Sequence, residues 1–534
     1  MHNKIYVISL QHPFSSAPFI FIKKGEEIGI YRDCSCFDGP STYVSYDFSC
    51  VIDKFRSEER MSLPRLIDVQ TAKKLIVGRK KNEFAPENQP WILKNIIGKY
   101  VEPSSIKWLS EFLKLRITPS DIEAHAANFV ADIMKGFEKA WSDIEEDLEK
   151  ANEGERFRMI ENPLYNIFLH TQLFGVSVPK EDLLEILNDL YRVHYKSLKR
   201  LELEHGFVFN PIDINSKIRF SDIKDFVRYN KIIKEDFEYD FWESVELYSE
   251  FDEFLTTLFT AYKSFRDRNA LLRYAVDQYD SVYPKFDIMG TVTGRILVTS
   301  PGIQYLKKTS RIIFKSKNGY SHLYADFDQF EPGIIASFSK DERLIELYNN
   351  GDVYTELSKV LFGSGEKRKI AKIIFLAFIY GMSQTRMEHF IEMIAGEESK
   401  IKGMSFFGKF QKLCSWKENV CRVAIQEGHA CSFQGNRRYL RKKGEASSSE
   451  MRWIPNQIIQ GTASYIFKKS LIEVKKAVPY VEFLVPMHDA ILFQVPNEEI
   501  DNAKRAVKEI FVKEFSIVCP NIKTSVSFEN FSEK

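Results

Sequence analysis

Residues 321–333 read SHLYADFDQFEPG and contain the most informative pattern of the chain. Ser321–Phe327 has the composition of a β-strand, and Asp326 and Asp328 share one face of it because side chains alternate along a strand. Acids in an apolar strand are costly unless they are paired or bound to a cation. Pro332 suits the first turn of a following helix. The stretch therefore predicts a strand end that can hold Mg²⁺ through oxygen ligands, although surface acids give the same pattern.

A second segment, residues 367–381, predicts a basic helix. Arg368, Lys372, Leu376 and Tyr380 recur at every fourth position and therefore form one stripe of that helix. Two cations followed by an apolar and an aromatic position can hold a triphosphate at one end and a base at the other, because guanidinium and ammonium groups bind phosphate. A solvated basic turn on a core helix is the alternative interpretation.

The third segment, residues 481–495, has two apolar, strand-like runs on either side of His488 and Asp489. An acid at the junction of two buried strands requires a metal or a cation, although a hydrogen-bonded turn gives the same pattern. Asp326 and Asp489 are far apart in the sequence, so only the tertiary fold can bring them together.

In order and content these segments resemble the A, B and C motifs of family A DNA polymerases, the bacterial DNA polymerase I type. Five further segments resemble other parts of that family, namely 161–168, 293–295, 301–304, 435–440 and 452–463. Each motif alone is weak, but their common order is specific, and the resemblance covers residues 155–534. It implies an α+β multidomain fold, a right-hand polymerase with a palm sheet and helical fingers and thumb, preceded by an RNase H-like α/β domain.

The resemblance also implies a division of the chain into domains. Residues 1–150 would form a degenerate 3′–5′ exonuclease-like domain and 151–534 the polymerase domain. The thumb would lie within 180–280, the palm within 285–345 and 450–534, and the fingers within 346–449. In the thumb, Lys196, Lys199 and Arg200 either meet DNA phosphates or form a solvated helix face. Between fingers and palm, the biased segment Lys442–Glu450 predicts a loop.

Nucleotidyl transfer by two metals needs carboxylates that clamp two cations between the attacking and leaving oxygens. The resemblance assigns this role to Asp326 and Asp489, with the carbonyl of Phe327, around two Mg²⁺ ions that Mn²⁺ can replace. Arg368 and Lys372 would bind the incoming triphosphate, and Lys372 would also help to protonate the leaving pyrophosphate.

The remaining nucleotide contacts follow from the same resemblance. Glu331 matches the acid that crowds a ribose 2′-hydroxyl, which implies selection of deoxynucleotides. Tyr380 would lie near the templating base. The other positions assigned to nucleotide binding are Gln329, Leu376 and Tyr354.

The resemblance also assigns residues to the primer–template. Arg295 and Gln460 would read minor-groove acceptors, which every correct base pair offers alike. His488 would lie near the primer terminus or its phosphate. The other DNA-binding candidates are Gln304, Arg452, Asn456, Arg437 and Arg438.

Several positions depart from the family pattern. Leu376 stands where phenylalanine or tyrosine is usual, and leucine cannot stack on a base as an aromatic ring can. Gly333 replaces an arginine that often follows the glutamate and the apolar residue of the first motif. The other departures are Ala377, Asp328, Tyr354 and Ala490. They affect the expected rate, fidelity and sugar discrimination but leave both metal-binding acids in place.

The first 60 residues predict short strands, and residues 68–141 predict mainly helices. Tyr46-Asp47 and Ile67-Asp68 resemble exonuclease motifs, but Val7-Ile8-Ser9 stands where the family needs an Asp-x-Glu pair. Phe129 occupies the position expected for the last acid. One surviving acid cannot hold two cations, so this domain is expected to be a scaffold without proofreading activity.

Composition sets the outer limits of these predictions. The chain has 534 residues with a formal net charge of +1, which excludes a uniformly basic coat protein but not a locally basic groove. Seven scattered cysteines favour a reducing compartment over a disulfide framework. Because no apolar run is long enough to span a bilayer and no signal peptide is recognisable, a cytoplasmic protein without a membrane partner is expected.

We therefore expect a monomeric, template-directed DNA polymerase that adds dNTPs to a primer 3′-hydroxyl on primer–template DNA; any processivity partner is unknown. One alternative is an RNA polymerase or a template-independent nucleotide-adding enzyme on the same palm, against which Glu331, Arg295 and Tyr380 argue. The other is a catalytically silent DNA-binding assembly protein, against which the intact pair Asp326 and Asp489 argues.

Overall fold

The computed structural model describes residues 4–532 apart from 13–14, 16, 38–40, 115–125, 207–241, 243–244, 247–248, 250–251, 273, 275–279 and 307. The chain forms two compact units. The first comprises Met1–Gly175, Tyr283–Ser300 and Asn318–Glu529, and the second comprises Val176–Val282, Pro301–Lys317 and Asn530–Lys534. The domain boundary expected near residue 150 stays a prediction.

A mixed five-stranded sheet begins the first unit. In sheet order its strands are Glu27–Tyr31, Phe19–Lys24, Ile5–Leu10, Thr42–Tyr46 and Arg65–Asp68. The first three are antiparallel neighbours, whereas the last two continue the sheet in parallel with Ile5–Leu10. All six residues of Ile5–Leu10 are buried, as expected for a central strand that is covered on both faces.

Helices pack around this sheet, so the N-terminal part of the chain is α/β, as predicted. They span Ile52–Ser57, Val69–Val77, Leu93–Ile97, Pro103–Leu113, Ala127–Lys150 and Asn162–Phe174. The longest, Ala127–Lys150, buries one apolar stripe that includes Phe137 and Trp141, while its other face carries exposed charges. This packing gives the sheet a continuous hydrophobic core.

A four-stranded sheet forms the centre of the C-terminal half. In sheet order its strands are Glu482–Pro486, Ala490–Pro496, Tyr320–Phe327 and Val526–Ser527. All neighbours are antiparallel. The strand predicted over 321–327 is therefore confirmed, and so are the two strand-like runs around His488.

Helices surround this second sheet, and two β-hairpins lie among them. The helices span Phe330–Ser339, Glu342–Asn350, Val353–Phe362, Arg368–Ile379, Gln384–Ala395, Glu397–Gly408, Gln411–Glu427, Ser448–Ala477 and Ile500–Val518. The hairpins pair Lys285–Asp287 with Leu297–Ser300, and His429–Ser432 with Gly435–Tyr439. The basic helix predicted between 367 and 381 is confirmed as Arg368–Ile379, which we call the basic helix.

The helix Ser448–Ala477, here called the long helix, begins inside a segment that was expected to be a loop. The Ser447 side chain accepts a hydrogen bond from the Glu450 backbone N–H, and the Glu450 carboxylate accepts one from the Ser447 N–H. This reciprocal capping satisfies two backbone donors at the helix start. The loop prediction for Lys442–Glu450 was therefore wrong at its C-terminal end.

The second unit contains the described part of the predicted thumb. Two helices, Lys180–His205 and Glu253–Leu272, pack against each other, and the short strands Val176–Ser177 and Ser281–Val282 pair beside them. Arg200 forms ion pairs with Glu204 and Glu253, so part of its charge is neutralised within this unit. Across the described residues, none of the helices combines the length and the apolar character that crossing a membrane requires.

Candidate active site

Antiparallel pairing brings the two predicted metal-binding acids together. Asp326 lies opposite Ala490 in the ladder between Tyr320–Phe327 and Ala490–Pro496. The next backbone contact is a 3.3 Å hydrogen bond from the Phe327 N–H to the Asp489 carbonyl. The acids are thus one position out of register on adjacent strands, although 162 intervening residues separate them in the sequence.

Burial and negative neighbours raise the pKa of Asp326 to about 8. Burial is the larger cause, followed by the nearby charges of Asp489, Glu529 and Asp328, while Lys372 acts in the opposite direction. The raised pKa shows that the negative charges around Asp326 outweigh the positive charge of the nearby lysine side chain. Glu529 was not predicted, because only the pairing of Val526–Ser527 with the central strand brings the chain end to this site.

The turn after Asp326 is held rigidly. Asp328 accepts a hydrogen bond of 2.6 Å from the Ser525 hydroxyl, and its backbone carbonyl accepts one from the Tyr348 hydroxyl. Gln329 has a positive φ of 48°, and its side-chain oxygen accepts a 2.9 Å hydrogen bond from the Val353 N–H. Gln329 therefore fixes the start of the neighbouring helix, which is a structural function in addition to its predicted nucleotide contact.

Glu331 and Arg295 form an ion pair at the start of the helix Phe330–Ser339. Burial raises the pKa of Glu331, and Arg295 partly opposes this effect. The two residues had been assigned separate partners, a sugar hydroxyl and a base pair, and the pairing between them was not predicted. Both roles stay predictions. A contact of Glu331 with a sugar, or of Arg295 with a base pair, would have to break this ion pair or share it.

Arg368 is paired with an acid that sequence reasoning missed. Its Nη2 and Nε atoms donate to Asp352 Oδ2 at 2.5 and 3.1 Å, and its guanidinium lies 5.2 Å from the ring centre of Tyr354. Lys372 Nζ lies 5.7 Å from the same ring. Tyr354 is 3 % exposed, so it lies beneath both cations. Asp352 also caps the helix Val353–Phe362. Its position directly before that helix is the local sequence feature that could have drawn attention to it.

The predicted stripe lies on the open side of the basic helix. Arg368 and Lys372 are exposed, and Leu376 and Tyr380 are half-buried. The opposite face is core, formed by Ile370, Ala371, Ile374, Phe375 and Ile379. The four residues therefore share one accessible face, as the fourfold spacing indicates.

The long helix carries the predicted DNA contacts Arg452, Asn456 and Gln460. Arg452 is exposed, and the other two are half-buried. The Asn456 side-chain oxygen is buried and has no hydrogen-bond partner among the described residues. His488 is exposed in the turn next to Asp489.

Three other DNA-binding candidates have different surroundings. Arg437 Nη1 lies 3.0 Å from Glu153 Oε1, and the Arg438 guanidinium lies 3.8 Å from the ring centre of Trp453. These contacts give both side chains a structural role within the fold, and their contact with DNA stays a prediction. Gln304 is a buried residue of the second unit.

A buried charge network supports the first unit, and the sequence analysis did not find it. Glu161 accepts from Arg156 Nε at 2.9 Å and forms an ion pair with Lys468. Lys468 Nζ also donates to the Ile288 carbonyl at 2.9 Å. All three side chains are essentially inaccessible, and burial lowers the pKa of Lys468 to about 8. The sequence feature that could have revealed this network is Lys468, a lysine in an apolar stretch of the long helix.

The N-terminal sheet carries no pair of acids at its first strand. Val7 and Ser9 are both fully buried there, and the Ser9 hydroxyl has no hydrogen-bond partner in the described chain. Asp47 follows the fourth strand with a positive φ of 53°. Asp68 caps the helix Val69–Val77, and burial raises the pKa of its carboxyl to about 6.

Among the residues that the structure describes, no group of three or more histidine, cysteine, aspartate or glutamate side chains is arranged to hold a metal. The predicted set at Asp326 and Asp489 has two carboxylates and a backbone carbonyl, so it falls outside such groups. Cys34, Cys50, Cys414, Cys421, Cys431 and Cys519 are free thiols.

The sequence from residue 250 to 530, just over half of the chain, matches the model of DNA polymerase family A. The chain belongs to DNA polymerase family A. Members of this family generally use divalent metal ions. The match includes all three motifs and both acids.

Curated relatives agree with this membership. DNA polymerase I of Borreliella burgdorferi is 31 % identical over 263 residues, which is 45 % of this chain and 29 % of the relative. The thermostable DNA polymerase I of Thermus filiformis is 25 % identical over 399 residues, 68 % of this chain and 46 % of the relative. The chain thus spans less than half the length of either relative.

The fold also has a close counterpart among solved structures. The polymerase domain of Pol1 from M. smegmatis, in complex with a DNA primer–template and dNTP, superimposes with a TM-score of 0.76. The alignment covers 98 % of this chain and 95 % of that chain at 17 % sequence identity. The predicted right-hand polymerase fold is therefore confirmed, including the α/β part that precedes the polymerase motifs.

Proposed function

We propose that this family A chain is a template-directed DNA polymerase that extends a primer 3′-hydroxyl with dNTPs and does not proofread. The observation that carries the proposal is that Asp326, at the end of one strand, lies next to Asp489, just before the start of the adjacent strand, with a raised pKa at Asp326. Two close acids that repel each other form a site that is completed by cations. Replication or repair of DNA is the process that such an activity serves.

The donor set fits two divalent cations. Asp326, Asp489 and the Phe327 carbonyl offer only oxygen ligands, which Mg²⁺ prefers, and Mn²⁺ is a suitable substitute. When bound, these ions would activate the primer hydroxyl and stabilise the charge that develops on the phosphate. The pKa of Asp326 is raised overall, but the positive charge of Lys372 acts against this rise. Lys372 therefore favours the ionised form of Asp326, which is the form that binds a cation.

The basic helix supplies the triphosphate site. Arg368 and Lys372 are exposed on its open face and would bind the phosphates, because guanidinium and ammonium groups are suited to phosphate oxygens. Lys372 would also help to protonate the leaving pyrophosphate. Asp352 forms an ion pair with Arg368, and the ring of Tyr354 lies against the Arg368 guanidinium. These two contacts would hold Arg368 where it can bind the triphosphate.

The sugar and base of the nucleotide would lie beside Glu331, Leu376 and Tyr380. Glu331 is held by Arg295, so its carboxylate has a fixed position from which it can exclude a 2′-hydroxyl. Leu376 and Tyr380 follow Lys372 along the same accessible face and would contact the sugar and the template base. Gln329 would contribute through the turn that it stabilises.

Primer–template DNA is the proposed partner, and the chain would act as a monomer inside the cell. Arg452, Asn456, Gln460 and His488 would contact the DNA. Arg452 and His488 are exposed, which supports this assignment.

Primer extension on a defined template tests the proposal, with each dNTP and each NTP offered separately in Mg²⁺. We expect extension only with the dNTP that pairs with the template. In Asp326→Asn and Asp489→Asn the rate should fall by more than ~100-fold, because one clamp on both cations is lost while the side-chain shape is kept.

Asp501→Asn is the matched control, since Asp501 is an exposed acid in the first turn of Ile500–Val518. It should extend primers like the wild type. DNA affinity, measured by fluorescence anisotropy, should persist in all three variants. Near wild-type extension by either active-site variant, or a wild-type preference for NTPs, would show that the proposed function is wrong.

A further inference from the structure

A polar cavity of about 70 Å³ lies where the helix Val69–Val77 ends in the N-terminal part of the first unit. Lys74, Arg79 and Lys81 line it from that side, and Gly290 and Thr291 line it from the loop before the Thr293-Gly294-Arg295 motif. A cavity needs only ~10–15 Å³ on this measure to hold one water molecule. The space is therefore large enough for a small polar group.

The charge around this cavity is strongly unbalanced. Lys74 is neutralised by Asp287, whose Oδ2 lies 2.6 Å from its Nζ. Arg79 and Lys81 are exposed and form no ion pair in the described part of the chain. Two cations without a counter-ion at one cavity are suited to an anion, and guanidinium and ammonium groups are the usual partners of phosphate.

A buried amide at the wall of the cavity also lacks a partner. Asn436 lines the cavity, is 1 % exposed, and its Nδ2 atom has no hydrogen-bond acceptor among the described residues. Leaving a buried donor unsatisfied costs roughly 1–3 kcal/mol, so such a group ordinarily has a partner. Asn436 thus adds an unsatisfied polar group next to the cavity, although its Nδ2 atom lies beside Gly294 and Gly461.

The backbone that carries these cations is held in place. Gly78 has a φ of 54°, and its carbonyl accepts a 3.4 Å hydrogen bond from the Tyr439 N–H. A Cβ atom at residue 78 would lie 2.2 Å from the Arg437 carbonyl oxygen. Only glycine allows this close approach, which fixes residues 79–81 against the hairpin.

We propose that this cavity binds a phosphate group of the nucleic acid backbone. Arg79, Lys80 and Lys81 are three consecutive exposed cations, of which only the first and the last line the cavity. Lys80 interacts electrostatically with Arg438 of the hairpin and with Glu83, which offsets part of the positive charge. A positive surface that extends past the cavity to Arg438 fits a strand better than a free anion.

This second DNA contact rests on the proposed function only in taking DNA as the partner. The cavity wall and the candidate active site share one loop. Gly290 N–H donates to the Arg295 carbonyl at 3.2 Å, and Arg295 pairs with Glu331.

The test compares the double variant Arg79→Ala/Lys81→Ala with the control Lys135→Ala/Lys139→Ala. The control removes two exposed cations from the helix Ala127–Lys150, which lies in the same part of the chain. Affinity for a labelled primer–template is measured by anisotropy over a range of KCl concentrations. We expect at least ~10-fold weaker binding by the test variant, and a salt slope smaller by ~0.7–0.9, because one phosphate contact is lost.

The control should bind like the wild type with an unchanged slope. Unchanged affinity and slope in the test variant would overturn the proposal. Inorganic phosphate at constant ionic strength forms the second arm. If ~1 mM phosphate abolishes the difference between wild type and test variant, the ligand is a free anion, and the assignment to a strand is overturned.

Primer extension at saturating DNA separates this proposal from the proposed function. Arg79 and Lys81 are outside the candidate active site, so the test variant should keep the wild-type extension rate when the primer–template is saturating. If the wild type does not extend primers while the anisotropy difference is present, the proposed function fails and the phosphate site stands.

Discussion

Glu331 combines two interactions at the residue scale. Its carboxylate pairs with Arg295, and the family resemblance predicts that it crowds the 2′ position of the nucleotide. The pairing holds the carboxylate in a buried place where burial already raises its pKa. Substitutions of Glu331 can therefore separate the effect of its side-chain size on sugar selection from the effect of its charge.

Shortening the side chain in Glu331→Ala should open space at the 2′ carbon. We expect the ratio of NTP to dNTP incorporation to rise by ~10- to 200-fold, the range for one group in a pocket. Single-nucleotide kinetics with matched dNTP and NTP measure this ratio.

Glu331→Gln is the matched control, because it keeps the size of the side chain and removes its charge. It should keep the wild-type sugar preference while weakening the contact with Arg295. If glutamine relaxes the preference as much as alanine does, charge rather than size excludes the 2′-hydroxyl.

Leu376 is the departure whose consequence is easiest to measure. It is half-buried on the open face of the basic helix, four residues after Lys372. Leu376→Phe should add aromatic stacking worth ~0.5–1.5 kcal/mol. At ~1.4 kcal/mol per tenfold, the dNTP Michaelis constant should fall by about 2- to 12-fold, and the ratio of dideoxy to deoxy incorporation should change.

Ile373→Phe provides the comparison, since Ile373 is exposed on the same helix but lies off the stripe. It should leave both quantities unchanged. Equal behaviour of the two phenylalanine variants would contradict the assignment of Leu376 to the nucleotide.

At the scale of a single element, Asp68 decides how the helix Val69–Val77 begins. Its Oδ2 accepts a 2.8 Å hydrogen bond from the Thr71 N–H, yet the side chain is buried. Burial raises the pKa of Asp68 to about 6, and the hydrogen bonds to Thr71 oppose this only partly. The capping hydrogen bond therefore places a carboxyl group where its charged form is destabilised by burial.

Because the folded state binds this proton more tightly than the unfolded state, stability is lost as pH rises from about 4 to about 6. Asp68→Asn keeps the capping oxygen and removes the charge. It should raise the free energy of unfolding above pH 6 by at most ~3 kcal/mol, at 1.36 kcal/mol per pKa unit. Urea unfolding at pH 4, 5, 6 and 7 measures the difference.

The gain should be small at pH 4, where the carboxyl is protonated in the folded state. Asp68→Ala removes the cap as well and should be less stable than Asp68→Asn by ~1 kcal/mol. A pH-independent difference between wild type and Asp68→Asn would show that Asp68 stays ionised in the fold.

At the scale of the whole molecule, the N-terminal sheet belongs to the part of the chain that is predicted to be a degenerate exonuclease-like domain. Its first strand presents Val7 and Ser9, both buried, and Phe129 is half-buried against the core of the sheet. We therefore expect no shortening of a 3′-mismatched primer incubated in Mg²⁺ without dNTPs, because two cations cannot be held there.

Gel analysis of the labelled primer checks this over the time in which the polymerase reaction is complete. The control is the same incubation with Asp47→Ala. Shortening by the wild type that disappears in Asp47→Ala would show that this domain is an active exonuclease.

Much of the fold was predictable because it depends on local pattern. The strand over Tyr320–Phe327 follows from its apolar composition, and the open face of the basic helix follows from a spacing of four residues. The strand Arg65–Asp68 was missed because it is only four residues long and leads directly into a helix. The start of the long helix was missed because the serines were interpreted as loop residues rather than as a cap.

Motif order and residue type were enough to select Asp326, Asp489, Arg368 and Lys372 as candidates for the chemistry. Their arrangement in space depends on the fold. The register of two antiparallel strands sets Asp489 beside Asp326. The pairings of Arg295 with Glu331 and of Arg368 with Asp352 join residues 36 and 16 positions apart. The physical reason is that charge pairing and burial depend on distances in space, which local sequence patterns do not encode.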